Sequence, residues 1–218
     1  MLASITRAIV FFSVVLGLMV LVLRLTCLRW WQVPADDADL VASIAPSLDG
    51  GDWVILWRAT PPGFGDLVLC PDPEDPAEVF IGRIAAEGGD RLTVDELGVI
   101  TVNNARARSE HACVPPKISV ANPSSGEEVE LRCDVETLGG VHHKRALVPP
   151  KSGLKPPPLK KRDIEAGAVY LISDNRLFPF DSRDFGPLPQ SSCKERIAFR
   201  LVSRLGFSHV DTRLSFIQ

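Results

Sequence analysis

Apolar and polar positions are spread unevenly along the chain. From Ala8 to Leu23 ("AIVFFSVVLGLMVLVL") there is no charge, and with Arg24 snorkelling the apolar run reaches Leu28. That is about the ~20 residues a membrane helix needs, so one transmembrane anchor is expected over residues 5–28. Trp30 and Trp31 follow, where aromatic residues gather at a membrane interface. A cleaved signal peptide is the alternative. Its apolar region would be unusually long, and no A-x-A site follows directly. After a short acidic linker ("PADDADL"), the pattern changes to short apolar runs separated by turn signals. "DWVILW" (52–57), "DLVLC" (66–70), "EVFIGRIAA" (78–86), "RLTVDELGVITVN" (91–103) and "AVYLIS" (168–173) are rich in Val, Ile, Leu and aromatics. Each is bounded by Gly, Pro, Asp or Asn and reads as strand, with a Gly suited to a hairpin turn in "DELGVI". Helical periodicity is missing outside the anchor, except near the C-terminal end. The expected body is mainly β, built from short antiparallel strands behind one N-terminal transmembrane helix.

The middle of the chain departs from this pattern. Residues 105–163 hold a candidate hairpin ("EEVELRCDVETL") and a proline- and lysine-rich stretch, "VPPKSGLKPPPLKKRD". Proline lacks the N–H a sheet interior needs, so the stretch is expected to be an exposed loop with its lysines in solvent. The organisation read from the chain is therefore an anchor (5–28), a first part of the β core (29–104), an inserted segment (105–163) and a last part of the core (164–218).

Composition narrows the function. The chain has 218 residues, 45% of them hydrophobic, enough for one ordinary domain with a real core besides the anchor. A net charge of −3 gives no basic field for nucleic acid. The five cysteines lack the paired short spacing of a zinc site, and no metal is implied. Cys113 and Cys133 bracket the candidate hairpin, and a disulfide between them is expected if the body lies outside the cytoplasm. Cys70 and Cys193 are equally available, so sequence leaves the pairing open; Cys27 lies at the membrane helix.

Three separated stretches line up with one family. "SIAPSLDGGDWVIL" (43–56) resembles the Ser-Met-x-Pro-Thr-Leu-x-x-Gly-Asp box of type I signal peptidases, which contains the nucleophile. "FIGRIAAEGGD" (80–90) resembles their Tyr-Ile-Lys-Arg-Val-Ile-Gly-x-Pro-Gly-Asp box. "SDNRLFPFDSRDFGPLP" (173–189) resembles their Gly-Asp-Asn-Arg-x-x-Ser-x-Asp-Ser-Arg-x-x-Gly box, with Asp174, Asn175, Arg176, Asp181, Ser182, Arg183, Gly186 and Pro187 in register. The order and spacing of the boxes fit, as does one membrane helix directly before the first.

The resemblance implies a serine–lysine dyad, in which a lysine kept neutral by burial takes the serine proton. Ser43 falls on the nucleophile. The base position falls on Gly82, which has no side chain to accept a proton. Val41 stands where many bacterial members have a serine that serves the oxyanion, and Pro179 where a serine orients the lysine. Losing one oxyanion donor costs ~10²–10³ in rate, and losing general-base help another ~10²–10⁴. Asp174, Asn175, Arg176, Asp181, Ser182 and Arg183 are the expected structural support, with Asp181 and Arg183 suited to a bidentate pair. His142, His143, Lys144 and Lys151 are candidates for a substitute base, while Arg83 stays protonated and is a poor one.

Residues 7, 24 and 29 give no firm charge asymmetry, with a slight lean toward a cytoplasmic C-terminus. The resemblance implies the opposite: an inner (plasma) membrane protein, single-pass, with its body on the outer face. It also implies exported precursors as partners through their signal peptide region, the lipid bilayer as support, and no cofactor. Two functions follow: a serine endopeptidase that processes signal peptides, or a catalytically silent homologue that binds precursor segments or partner proteins at the membrane.

Overall fold

The computed structural model describes residues 2–150, 152–209 and 212–217. The apolar run forms one helix, α1 (Leu2–Thr26), and within it Ile5–Thr26 is long and apolar enough to cross a membrane. At 1.5 Å per residue those 22 residues span about 33 Å, against a ~30 Å hydrocarbon core. Leu28, grouped with the anchor on apolarity alone, instead opens strand β1 (Leu28–Gln32).

The body is antiparallel β. A short helix, α2 (Ala38–Ile44), leads to β2 (Trp53–Trp57), β3 (Leu67–Pro71) and β4 (Val79–Glu87). Then come β5 (Arg91–Val94), β6 (Ile100–Val102), β7 (Ala105–Arg106), β8 (Arg108–Ala121), β9 (Glu128–Leu138), β10 (Val141–Leu147) and β11 (Leu159–Asp163). The chain continues through β12 (Ala168–Ile172), a helical turn α3 (Ser182–Phe185), β13 (Leu188–Pro189), β14 (Glu195–Val202) and β15 (Ser215–Phe216). The main sheet runs β1-β2-β14-β3-β4-β12-β13, with β15 on β14; β10-β9-β8 and β11-β5-β6-β7 form two smaller sheets.

Strand alternation sorts the core. On β2, Val54 and Leu56 are buried, and with Leu40, Ile44, Leu69, Ile81 and Ile197 they form one cluster under α2. The other face of β4 turns Phe80 and Ile84 into a second cluster with Val68, Leu171 and Leu188. The outward positions of β1 and β2 hold Trp30, Trp53, Ile55 and Trp57, with Trp30 opposite Ile55 and Trp53 opposite Gln32. Trp30 and Trp53 are 51% and 44% exposed, which leaves an apolar sheet face directly beyond the membrane helix.

The inserted segment is more regular than its composition suggests. "EEVELRCDVETL" is not a hairpin by itself: it supplies β9, the central strand between β8 and β10. The β9–β10 turn uses Gly139 and Gly140 at φ 60° and 83°, a left-handed pair in which β-carbon-bearing residues are strained. The basic end of the proline-rich stretch, "LKKRD", is not loop but β11, pairing β5. It lies at a sheet edge, where lysines and an unpaired side are tolerated.

Candidate functional site

Ser43 lies in the last turn of α2, not at a turn or strand end. Asp37 caps the helix by accepting a hydrogen bond from the Leu40 N–H at 2.9 Å. Leu40 and Ile44, one turn apart, anchor it in the core, and it stops at Ala45 before Pro46, as proline disfavours helix in the residue before it. An Asp followed by apolar residues four apart was the sequence signal for this element; seven residues are too few to stand out as periodicity. Gly50 allows the close packing, since a β-carbon there would lie 2.8 Å from Val41 Cγ2.

Ser43 is fully buried, and its Oγ donates to the Leu40 carbonyl at 2.8 Å. Asn175 holds the same turn from outside. Its backbone N–H donates to the Ser43 carbonyl and its Nδ2 to the Ala42 carbonyl, both at 2.9 Å. Its Oδ1 accepts from Leu177 and Phe178, so this buried amide is used on both ends.

Gly82 lies inside β4, opposite Val68 of β3. A β-carbon there would meet Leu171 Cβ at 3.0 Å and the Ile172 carbonyl oxygen at 3.6 Å. It would project on the face of Phe80 and Ile84, whereas α2 packs with Ile81 on the opposite face. Beside Phe80 stand Phe185, stacked with centroids 3.9 Å apart, and Phe180 at 5.8 Å. The surroundings of position 82 are thus aliphatic and aromatic. Val41 and Pro179 are half-buried and bring no hydroxyl.

The last box forms two charge clusters. Arg83 donates from Nε and Nη2 to Asp174 at 2.9 and 2.8 Å, and Ser47 Oγ donates to Asp174 Oδ2 at 2.5 Å. Burial pushes the Asp174 carboxyl up, but Arg83 and Ser47 together hold it below its ordinary value. Arg176 donates to the Ser173 carbonyl and, from Nη2, to Glu136, which also accepts from Arg145. Burial raises the Glu136 carboxyl, and Arg176 and Arg145 overcome this to bring it to about 2. In the second cluster Arg183 makes two bonds to Asp181, at 2.9 and 2.7 Å, and the Asp181 carboxylate also accepts the Ser173 N–H at 2.8 Å. Burial works against the ionised Asp181, but Arg183 and these N–H groups lower its pKa. Ser182 Oγ accepts the Leu171 N–H at 2.9 Å.

None of the candidate substitute bases is bonded to Ser43 among the described residues. His142 is exposed beside Thr137 and Glu110, and Lys144 is exposed; Lys151 lies outside the described residues. His143 is buried, with Nε2 3.2 Å from Glu136 Oε2 but without a hydrogen bond among the described residues. Burial and Arg83 lower its pKa, which favours the neutral ring. Sequence reasoning named His143 only as a candidate base and missed its grouping with Glu136 and Arg145, which becomes visible only when β9 and β10 pair. Ala146 of β10 then bridges to the last box, donating to the Asp174 carbonyl and accepting from the Arg176 N–H.

Two disulfides close the body: Cys113–Cys133, joining β8 to β9, and Cys70–Cys193, which sequence left open. Cys27 is free. Among the described residues no group of His, Cys, Asp or Glu is placed to hold a metal ion.

No curated protein matches the chain. The profile of the family described as "Signal peptidase, peptidase S26" matches residues 5–202, from the membrane helix through β14. With Ser43 on α2, Gly82 on β4 and the Asp174–Arg183 loop holding α2 in place, the chain belongs to the signal peptidase family, peptidase S26.

Proposed function

We propose that this member of the signal peptidase family is a catalytically silent, membrane-anchored homologue that holds segments of exported precursors. The observation behind it is the state of Ser43: its hydroxyl proton is bound to the Leu40 carbonyl, and position 82 is a glycine among apolar side chains. A serine hydroxyl needs a base within hydrogen-bond reach to become a nucleophile. Binding has no such need. A cavity of about 350 Å³ beside α2 is lined by Val41, Ala45, Pro46, Ile118 and Val120. Along it runs β8, an edge strand of its sheet, whose free side can pair an extended peptide through backbone hydrogen bonds. The body is placed on the outer face of the inner membrane. Two disulfides favour that oxidising side.

The test is incubation of a model precursor with purified full-length protein in detergent, wild type beside Ser43→Ala. Both are expected to crosslink the precursor equally and to leave it uncut. Cleavage by wild type that Ser43→Ala abolishes would overturn the proposal and make the chain a working signal peptidase.

A further inference from the structure

A second cavity, about 540 Å³, lies away from Ser43, between the β5–β6 turn and the segment that follows β10. Its size falls within the ~300–1,000 Å³ of small-molecule sites. Leu97, Val99, Leu147, Leu154 and Pro156 give it apolar walls. Arg132 and Arg145 complete the lining, and the Nε of each is buried with no acceptor among the described residues. Arg145 is the more deeply placed, with its side chain 3% exposed.

The charges around these arginines do not balance. Arg132 pairs with Asp134, and Arg145 and Arg176 share Glu136, so three guanidiniums meet two carboxylates. Arg176 Nε is also without an acceptor among the described residues. Burial and Arg83 lower the pKa of His143, which lies against Glu136, and so favour its neutral ring. Glu96 and Lys155, at the lip, are bonded to each other at 3.2 Å and are 70% and 73% exposed, so they add no net charge. Burial pushes the Arg145 guanidinium below its ordinary value, and Glu136 only partly offsets this. An excess buried cation beside apolar walls is costly unless an anion joins it.

We propose that this cavity binds an apolar chain headed by one carboxylate, with the carboxylate on Arg132 and Arg145 and the chain against Leu97, Val99, Leu147 and Leu154. A carboxylate supplies acceptors for two unpaired Nε groups and cancels the excess charge, its planar fork matches guanidinium, and the apolar walls suit a chain attached to it. Two sources offer this chemistry: a fatty acid from the bilayer, and the C-terminus of an apolar peptide.

Calorimetric titration of the full-length protein in detergent separates them. The probes are octanoate against octanamide, and a short peptide ending in leucine with a free against an amidated carboxyl. At least one carboxylate is expected to bind ten-fold or more tightly than its amide, since charge-assisted bonds are at stake. Arg132→Gln, at a side chain 43% exposed, should keep the fold and lose that ten-fold preference. Leu97→Asp, 70% exposed, should weaken binding through the wall instead. Selective binding of octanoate points to the bilayer source, and of the free peptide to the chain-end source. Equal affinity for acid and amide in both pairs, or an Arg132→Gln protein that binds like wild type, would overturn the proposal.

Discussion

Replacing Glu136 with glutamine removes a carboxylate that Arg145 and Arg176 share at the junction of the insert with the last box. The wild-type carboxyl falls from an ordinary 4.5 to about 2 in the folded protein. A depression of that size corresponds to about 3 kcal/mol favouring the folded, ionised form. Because the folded value is the lower one, this stability is complete above about pH 4.5 and drains away as the pH falls through about 2. At neutral pH, Glu136→Gln also leaves two buried guanidiniums short of an anion, for a loss of about 3–5 kcal/mol. In a body of this size that lowers Tm by about 10 °C. Urea unfolding of both proteins from pH 7 to pH 2 measures the difference directly. Asp174 and Asp181 also have lowered pKa values and weaken the fold in acid, but they are common to both proteins and cancel. The gap should be widest at pH 7, narrow below about pH 4.5 and nearly close by about pH 2. A gap under about 1 kcal/mol at pH 7, or one that stays constant down to pH 2, would refute the reasoning.

Gly82→Ala puts a β-carbon 3.0 Å from Leu171 Cβ and should cost about 1–3 kcal/mol by urea unfolding; no loss would mean that β12 yields freely. Gly82→Lys should destabilise further and should not create cleavage, because its stem enters the Phe80 cluster while Ser43 stays bonded to Leu40; Ser43-dependent cleavage by this variant would contradict that placement. Thiol labelling of the unfolded, unreduced chain should mark Cys27 alone, and labelling of any other cysteine would break one of the two disulfides assigned. In bilayers of brominated lipid, a variant keeping Trp53 as its sole tryptophan should be quenched, because the outer face of β1 and β2 follows directly from α1; unquenched Trp53 would lift that face off the membrane.

The local features of this chain were legible in its sequence. A run of apolar residues long enough to span a bilayer has few other solutions, and α1 occupies it. The strands β2 and β12 fall within the stretches whose branched and aromatic residues marked them, and β3 and β4 overrun theirs by one residue, since short apolar runs bounded by turn residues mark buried strands segment by segment. The three boxes were equally readable, and so was the absence of a side chain at residue 82. Other features depend on residues distant in sequence. α2 is too short to hold together by periodicity and is fixed by Leu40 and Ile44 in the core and by Asn175, 133 positions beyond Ala42. "LKKRD" has a loop's composition yet pairs with β5, because an edge position asks little of its side chains. The burial of Ser43 belongs to the tertiary structure. Sequence shows that the base is missing from position 82, and the Ser43–Leu40 bond is local to α2, but only the packing of α2 buries that serine, while strand pairing sets His142 against Glu110 and His143 against Glu136. Hydrogen bonds and buried charges are set by which segments meet, and a linear pattern does not encode those meetings.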